Sequence, residues 1–169
     1  KLNGSQSLTL PAINATGGMS VAMWLKPAAL DGALIQAGSL NAALAGGVLN
    51  VQAGAATVTA SVPLTVGKWH YLAITVDGTL KVYIDGKLAG EAAGAAVPAG
   101  ALRVGPGYNG ELDEVQLSGN ARDAAWIAVQ AAQGPTGALV ALGADELSEG
   151  GEEGGIWGTL FSALTVDGW

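Results

Sequence analysis

Residues 67–90, GKWHYLAITVDGTLKVYIDGKLAG, hold three strand-length runs separated by the dipeptides Asp77-Gly78 and Asp85-Gly86. Asp-Gly supplies the positive φ angles that tight hairpin turns require, and apolar, β-branched residues flank each pair. The segment therefore reads as an antiparallel meander. It contains almost nothing that could make or break bonds, so function must lie in binding or elsewhere in the chain.

The same pattern extends over most of the sequence. Strand-like runs recur at 7–11, 19–27, 33–38, 47–53, 56–61, 69–76, 79–84, 87–93, 101–104 and 110–118, separated by turns rich in glycine or proline. Many short strands with no helix between them indicate an all-β fold, a two-sheet antiparallel jelly-roll sandwich. Within 19–27 the two-residue period puts Met19, Val21, Met23 and Leu25 on one face and Ser20, Ala22, Trp24 and Lys26 on the other. In the meander, Leu72, Ile74, Val76, Leu80, Val82 and Ile84 form an inward set. That leaves Tyr71, Thr75, Lys81 and Tyr83 facing outward. Leu112, Val115 and Leu117 fit no single two-residue period, which calls for a β-bulge near Asp113 and Glu114.

One helix is expected, over residues 123–132, stopped by Gly134 and Pro135 and carrying Trp126, Ile127 and Val129 as a short apolar stripe. It should lie on the sandwich as a closing latch, giving a jelly roll over residues 1–133. Residues 134–155 read as an acidic, glycine-rich linker, since ADELSEGGEEG carries five acids and no base. Residues 156–169 return Ile156, Trp157, Leu160, Phe161 and Leu164 at helical spacing. This apolar tail reads as the lead-in to a missing membrane span or as a packed extension of the sandwich. It lacks the Lys and Arg that flank a membrane-surface helix.

Composition narrows the function classes. The net charge of −7 divides unevenly, with six bases and four acids over residues 1–110 but one base and ten acids over 111–169. No basic stripe exists for a phosphate backbone, so nucleic acid is an unsuitable partner. Cysteine is absent, which removes disulfides and thiolate metal sites. No run of about 18 apolar residues is long enough to span a bilayer, and Lys1 opens into LNGSQSLTLP without a signal-like core. The expectation is a soluble segment, excised or whole.

GKWHYLAITVDGTLKVYIDGKLAG followed by LRVGPGYNGELDEVQLSG resembles the laminin-G-like, concanavalin-A-like jelly roll of bacterial proteins. The linked motifs are Gly-x-Trp-His, the two Asp-Gly turns and Gly-x-Leu-Asp-Glu-Val. RDAAWIAVQAAQG with the terminal TLFSALTVDGW resembles a narrower group, in which such a domain precedes the first membrane helix of a TolQ/ExbB/MotA-type proton-channel subunit. That second resemblance implies a domain on the periplasmic side, tethered to the inner membrane beside an energy-transducing channel.

The resemblance also names sites to weigh. Laminarinase-type hydrolases of this fold carry Glu-x-Asp-x-Glu or Glu-x-Asp-x-x-Glu on one strand. Glu111 and Asp113 occupy the first two places here, but Val115 and Gln116 stand at the last. Retaining hydrolysis needs two carboxyl groups about 5–5.5 Å apart, and Glu114, adjacent in the strand, points to the other face. No enzyme is expected. Relatives that bind calcium pair such an Asp with oxygens of an amino-terminal loop, which places a candidate Ca2+ at Asp113 and Asn3. Asn3 stands where relatives often have Asp, so charge for a six- to eight-oxygen site is short. Alternatively, Asp113 accepts hydrogen bonds from backbone amides of that loop. The lone His70 has no nucleophile or second histidine to work with and reads as structural. Trp69 reads as a packed strand residue. Trp24, Tyr71 and Tyr83 are the ligand-binding candidates, as aromatic faces for sugar rings, unless a loop or the latch helix covers them.

The expected function is a non-catalytic binding or docking domain, sensing a protein or glycan partner beside a membrane channel. A carbohydrate-binding module or adhesin domain, assisted by calcium, is the alternative. A purely structural spacer is the third.

Overall fold

A computed structural model of the chain describes residues 1–12, 15 and 17–135. Two six-stranded antiparallel sheets face one another. The first runs β1 (Leu2–Asn3), β12 (Asn109–Ser118), β3 (Met19–Pro27), β8 (His70–Val76), β9 (Thr79–Ile84), β10 (Lys87–Ala93). The second runs β2 (Leu8–Leu10), β11 (Leu102–Val104), β4 (Gly32–Ala37), β5 (Leu40–Ala45), β6 (Val48–Ala53), β7 (Ala56–Thr59). Among the described residues one helix, α1 (Ala124–Ala132), follows. The chain divides by internal contacts at residues 137 and 138. From residue 136 onward, the expected linker and tail lie outside the described residues.

The core follows from alternation. Met19, Val21, Met23 and Leu25 of β3 join Leu72, Ile74 and Val76 of β8 and Leu80, Val82 and Ile84 of β9 in one buried cluster. Leu34, Leu40, Leu44, Leu49 and Val51 meet them from the opposite sheet. Both inward sets read from the sequence are the observed ones. Each fully buried Leu, Ile, Val or Met contributes about 1.5–3 kcal/mol through removal of its apolar surface from water.

Turn chemistry sets the registers. Ile84 pairs with Lys87, and Asp85 (φ 52) and Gly86 (φ 80) form a two-residue turn with both residues left-handed, as a type I′ hairpin needs. The Asp77-Gly78 turn differs from expectation. Val76 pairs with Leu80, so three residues turn the chain, and only Gly78 (φ 91) is left-handed. The Asp77 carboxylate accepts the Thr79 amide instead, at 3.3 Å, an Asx turn that takes over the role of a second positive φ.

The bulge expected on β12 is present. Its register against β3 shifts between Asp113 and Gln116, and Glu114 sits at φ 48. This extra residue lets Leu112, Val115 and Leu117 all pack against the core. Two strands, β1 and β5, had no counterpart in the sequence reading. The β5 run, LNAALA, is alanine-rich and has low intrinsic strand preference. It is held extended by hairpins on both sides, turning through Gly38 and Gly46-Gly47.

The flank carrying β7 and β10 is stitched between the sheets. The Ser61 amide donates to the Ala89 carbonyl at 2.9 Å, the Ala96 amide to the Ala53 carbonyl at 3.3 Å, and Gly54 bridges Ala95. The opposite flank ends in the two- and three-residue strands β1 and β2.

Candidate functional site

The outer face of the first sheet carries the three aromatic candidates, and the helix lies over them. In β3 and β8, Ala22 pairs with Ala73 and Trp24 with Tyr71, while Tyr83 of β9 pairs with Ala73. The paired alanines leave a notch walled by aromatic rings, and Ile127 of α1 is wholly buried in the cluster they form. Asp123 caps the helix, its carboxylate accepting the Trp126 amide at 2.7 Å. Arg122 stacks over Trp126, 4.8 Å from the ring centroid. Trp24, Tyr71 and Tyr83 are accordingly 6, 2 and 5% exposed. Of the two arrangements the sequence left open for these residues, the structure has the covered one: a hydrophobic helix stripe takes the aromatic face as its partner.

That burial leaves two polar atoms without partners. Among the described residues, Trp24 Nε1 and Tyr71 Oη are buried and make no hydrogen bond. Each such group costs about 1–3 kcal/mol. Burial first, and the Glu114 carboxylate second, push the Tyr71 phenol up to about 12. Burial likewise raises Tyr108, with Glu111 adding to it and a backbone hydrogen bond from Lys26 opposing.

The calcium pair does not converge. Asn3 lies opposite Asn109, and Asp113 is four residues further along β12, roughly 13 Å away at about 3.3 Å per residue. The Asn3 side chain accepts the Ser5 amide at 3.1 Å and the Ser5 hydroxyl at 2.7 Å. Asp113 accepts the Glu114 amide at 2.8 Å, closing the bulge rather than receiving the amino-terminal loop. Glu111 faces Lys26 at 3.6 Å. Among the described residues, no group of three or more His, Asp or Glu side chains gathers where a metal could sit.

His70 has both ring nitrogens occupied. The Thr65 amide donates to Nε2 at 3.0 Å, which leaves the ring proton on Nδ1, facing Asp85 Oδ2 at 2.9 Å. The other Asp85 oxygen accepts the Tyr71 amide at 2.9 Å. The motif Trp69-His70 thus buckles the start of β8 to the β9–β10 turn.

The outer face of the second sheet is the surface that sequence reasoning missed. Its registers align one residue from each strand into a transverse row: Thr9, Arg103, Gln36, Asn41, Gln52 and Thr57. All six are exposed. At about 4.8 Å between strands the row spans roughly 24 Å. Beside it, Ala43 pairs with Asn50 and Asn50 with Thr59, whose hydroxyl donates to Asn50 Oδ1 at 2.8 Å. Asn41, Ala43, Asn50, Gln52 and Thr57 line a shallow groove of about 210 Å3. The short side chains of Ala43 and Thr57 form the hollow, and the amides stand around it. The polar alternation Asn50–Gln52 and Thr57–Thr59 was visible in the sequence, but the row needs the β5 pairing.

Residues 2–128 match the family described as the concanavalin A-like lectin/glucanases superfamily. No curated protein matches the chain. Among solved structures, the chain is similar to domain 4 of AbnA, a GH43 extracellular arabinanase from Geobacillus stearothermophilus, in complex with arabinotriose. The TM-score is 0.63 at 21% identity, over 77% of this chain and 74% of that one. It is also similar to a native heptameric SAP-like pentraxin from Limulus polyphemus, with a TM-score of 0.60 at 18% identity over 76% and 75% of the two chains. A third likeness is to botulinum neurotoxin type C, whose cell entry depends on two ganglioside molecules. There the TM-score is 0.53 at 12% identity, over 70% of this chain and 36% of the toxin chain. At such identities the likeness is one of fold.

Proposed function

Because the chain belongs to the concanavalin A-like lectin/glucanases superfamily, we propose that it is a non-catalytic module that binds a neutral, extended glycan across the second sheet. The observation that carries this reading is the exposed row Gln36–Asn41–Gln52–Thr57 with its groove. Amide side chains both donate and accept, as sugar hydroxyls do, and they sit at strand spacing along one line. These four residues carry no charge, and the row's one cation, Arg103 beside Gln36, lies outside the groove and donates to the Ser7 hydroxyl at 3.2 Å, so the groove itself favours neutral sugars over sulfated or phosphorylated ones. The similarity to an arabinanase domain solved with arabinotriose supports the ligand class.

Magnitudes bound the affinity. Net hydrogen bonds contribute about 0.5–1.5 kcal/mol each, and no aromatic ring stands in the groove to add stacking. Four or five such bonds yield a dissociation constant near about 1 mM, equivalent to about 4 kcal/mol. Calorimetric titration with arabinotriose and with cellotetraose tests this, against the Asn41→Ala/Gln52→Ala double variant. A saturable response in the wild type that disappears in the double variant is expected. Unchanged binding by the double variant, or no saturable response to any neutral oligosaccharide, overturns it.

Periplasmic placement beside a TolQ/ExbB/MotA-type channel, with the glycan site as its docking element, is a proposal supported by the motif RDAAWIAVQAAQG and the terminal TLFSALTVDGW alone. A coding sequence continuing beyond Trp169 into about 20 apolar residues is the observation that would bear on it.

A further inference from the structure

The helix covers a face that is chemically unlike an ordinary core. Ala22, Ala73, Tyr83 and Ile127 pack as hydrophobes, but Trp24 and Tyr71 bring two polar atoms into the contact, and neither finds a partner among the described residues. The two rings are 5.2 Å apart between centroids and tilted by 56°. An indole N–H requires an acceptor, a phenol takes either role, and the Glu114 carboxylate lies close enough to act on the Tyr71 phenol. Glu114 is held there by the left-handed backbone of the bulge. Aromatic faces, an N–H donor, a phenol and a nearby carboxylate together match a sugar ring, which offers an apolar face edged by hydroxyls.

The cover is fastened at one end. The hydrogen bonds between the helix segment and the sheet gather at its start: Ser20 Oγ donates to the Asn120 carbonyl at 2.8 Å. The Arg122 amide donates to Ser20 Oγ at 2.7 Å, and Arg122 Nε to Ser118 Oγ at 3.4 Å. Beyond Asp123, α1 is held by side-chain packing alone: Ile127 in the notch, Trp126 and Ala131 against the same aromatic cluster, and the close approach of Ala128 and Ala131 to Gly86. A nine-residue helix has little stability of its own and depends on such contacts.

We propose that α1 is a displaceable cover over a second, closed sugar site whose floor is Trp24, Tyr71 and Tyr83, pivoting about residues 119–122. Opening removes Ile127 from its notch and lets the ligand satisfy the Trp24 and Tyr71 polar atoms that the closed state leaves bare. The site is on the opposite sheet from the row proposed above and does not depend on it.

The indole N–H resonance of Trp24, identified by its loss in Trp24→Phe, reports the state of the cover directly. In Ile127→Ala the Trp24 indole proton is expected to exchange with solvent at least about tenfold faster than in the wild type. Titration with arabinotriose or cellotetraose should shift it saturably, with an apparent dissociation constant lower by the same factor, because the open state is more populated. Val129→Ala, on the exposed side of the helix, should leave exchange unchanged. The Asn41→Ala/Gln52→Ala substitutions should not alter the Trp24 shift, so failure at either site is read separately. If Ile127→Ala does not fold, Ile127→Val carries the same readout at smaller amplitude. Unchanged exchange in the folded variant, no sugar-induced shift in the opened protein, or a long-lived water bound to the Trp24 indole in the wild type overturns the proposal.

Discussion

Replacing Asp85 should expose how much one turn residue contributes to the first sheet. Its carboxylate accepts from the Tyr71 amide and faces His70 Nδ1, both at 2.9 Å, and its backbone holds φ 52. The partners are buried while the Asp85 side chain is 49% exposed. Water therefore reaches the acceptor but not the donors. Taking about 1–1.5 kcal/mol for each hydrogen bond under that partial screening, Asp85→Gly, which tolerates the left-handed backbone, should cost about 2–3 kcal/mol. Asp85→Ala adds about 1 kcal/mol for a Cβ in that conformation. Asp85→Asn keeps the φ preference and the bond to Tyr71 but turns an amide N–H2 toward the His70 Nδ1 proton, for about 1–1.5 kcal/mol. The order of stability is then wild type, Asn, Gly, Ala. By urea denaturation the steps should appear as falling midpoints at constant slope. By melting, Asp85→Ala should lose about 10 °C, at about 2–4 °C per kcal/mol for a chain of this size. If Gly and Ala are no worse than Asn, or if all three stay within about 0.5 kcal/mol of wild type, the buckle described between β8 and the β9–β10 turn does not exist.

Two further outcomes follow from the packing. The Tyr71 phenol is pushed up to about 12 in the folded state, against about 10 when unfolded. Its contribution to stability is therefore full below about pH 10 and is lost as pH rises through about 12, so tyrosinate absorbance should show Tyr71 ionising late or together with alkaline unfolding. A transition near pH 10 that includes Tyr71 in the still-folded protein would contradict this. Gly32→Ala should be severely destabilising, by about 3 kcal/mol or more, because the added Cβ would meet the Gly107 carbonyl oxygen at a backbone φ of 139. Gly46→Ala, at φ 58 with open space around it, should cost only about 1–2 kcal/mol; equal melting temperatures for the two variants would refute the distinction.

The sequence made visible whatever depends on neighbours along the chain. Period-two alternation through Met19–Pro27 and Thr79–Ile84 separated the face turned between the sheets from the face turned away, the broken period at Leu112, Val115 and Leu117 announced the bulge, and Gly134 with Pro135 announced the helix stop. What escaped it depends on registers between distant strands. The face of Trp24, Tyr71 and Tyr83 was legible, but its covering by Ile127 required α1 to be placed on the paired alanines Ala22 and Ala73. The separation of Asn3 from Asp113 required the pairing of Asn3 with Asn109. The amide row required a strand at Leu40–Ala45 that alanine content disguised.

The stitched flank has a further consequence. Sheets grow by recruiting a new strand onto unpaired edge amides and carbonyls, the route to filaments and to unwanted association. Here the flank carrying β7 and β10 spends backbone groups across the sheets, Ser61 after β7 on Ala89 of β10 and Ala96 after β10 on Ala53 at the end of β6, and at the other border β1 and β2 are only two and three residues long. An incoming strand therefore finds partners already taken along the stitched flank, and on the other border, where β12 runs on from Glu111 to Ser118 beyond its pairing with β1, the left-handed Glu114 bends the edge and breaks the template.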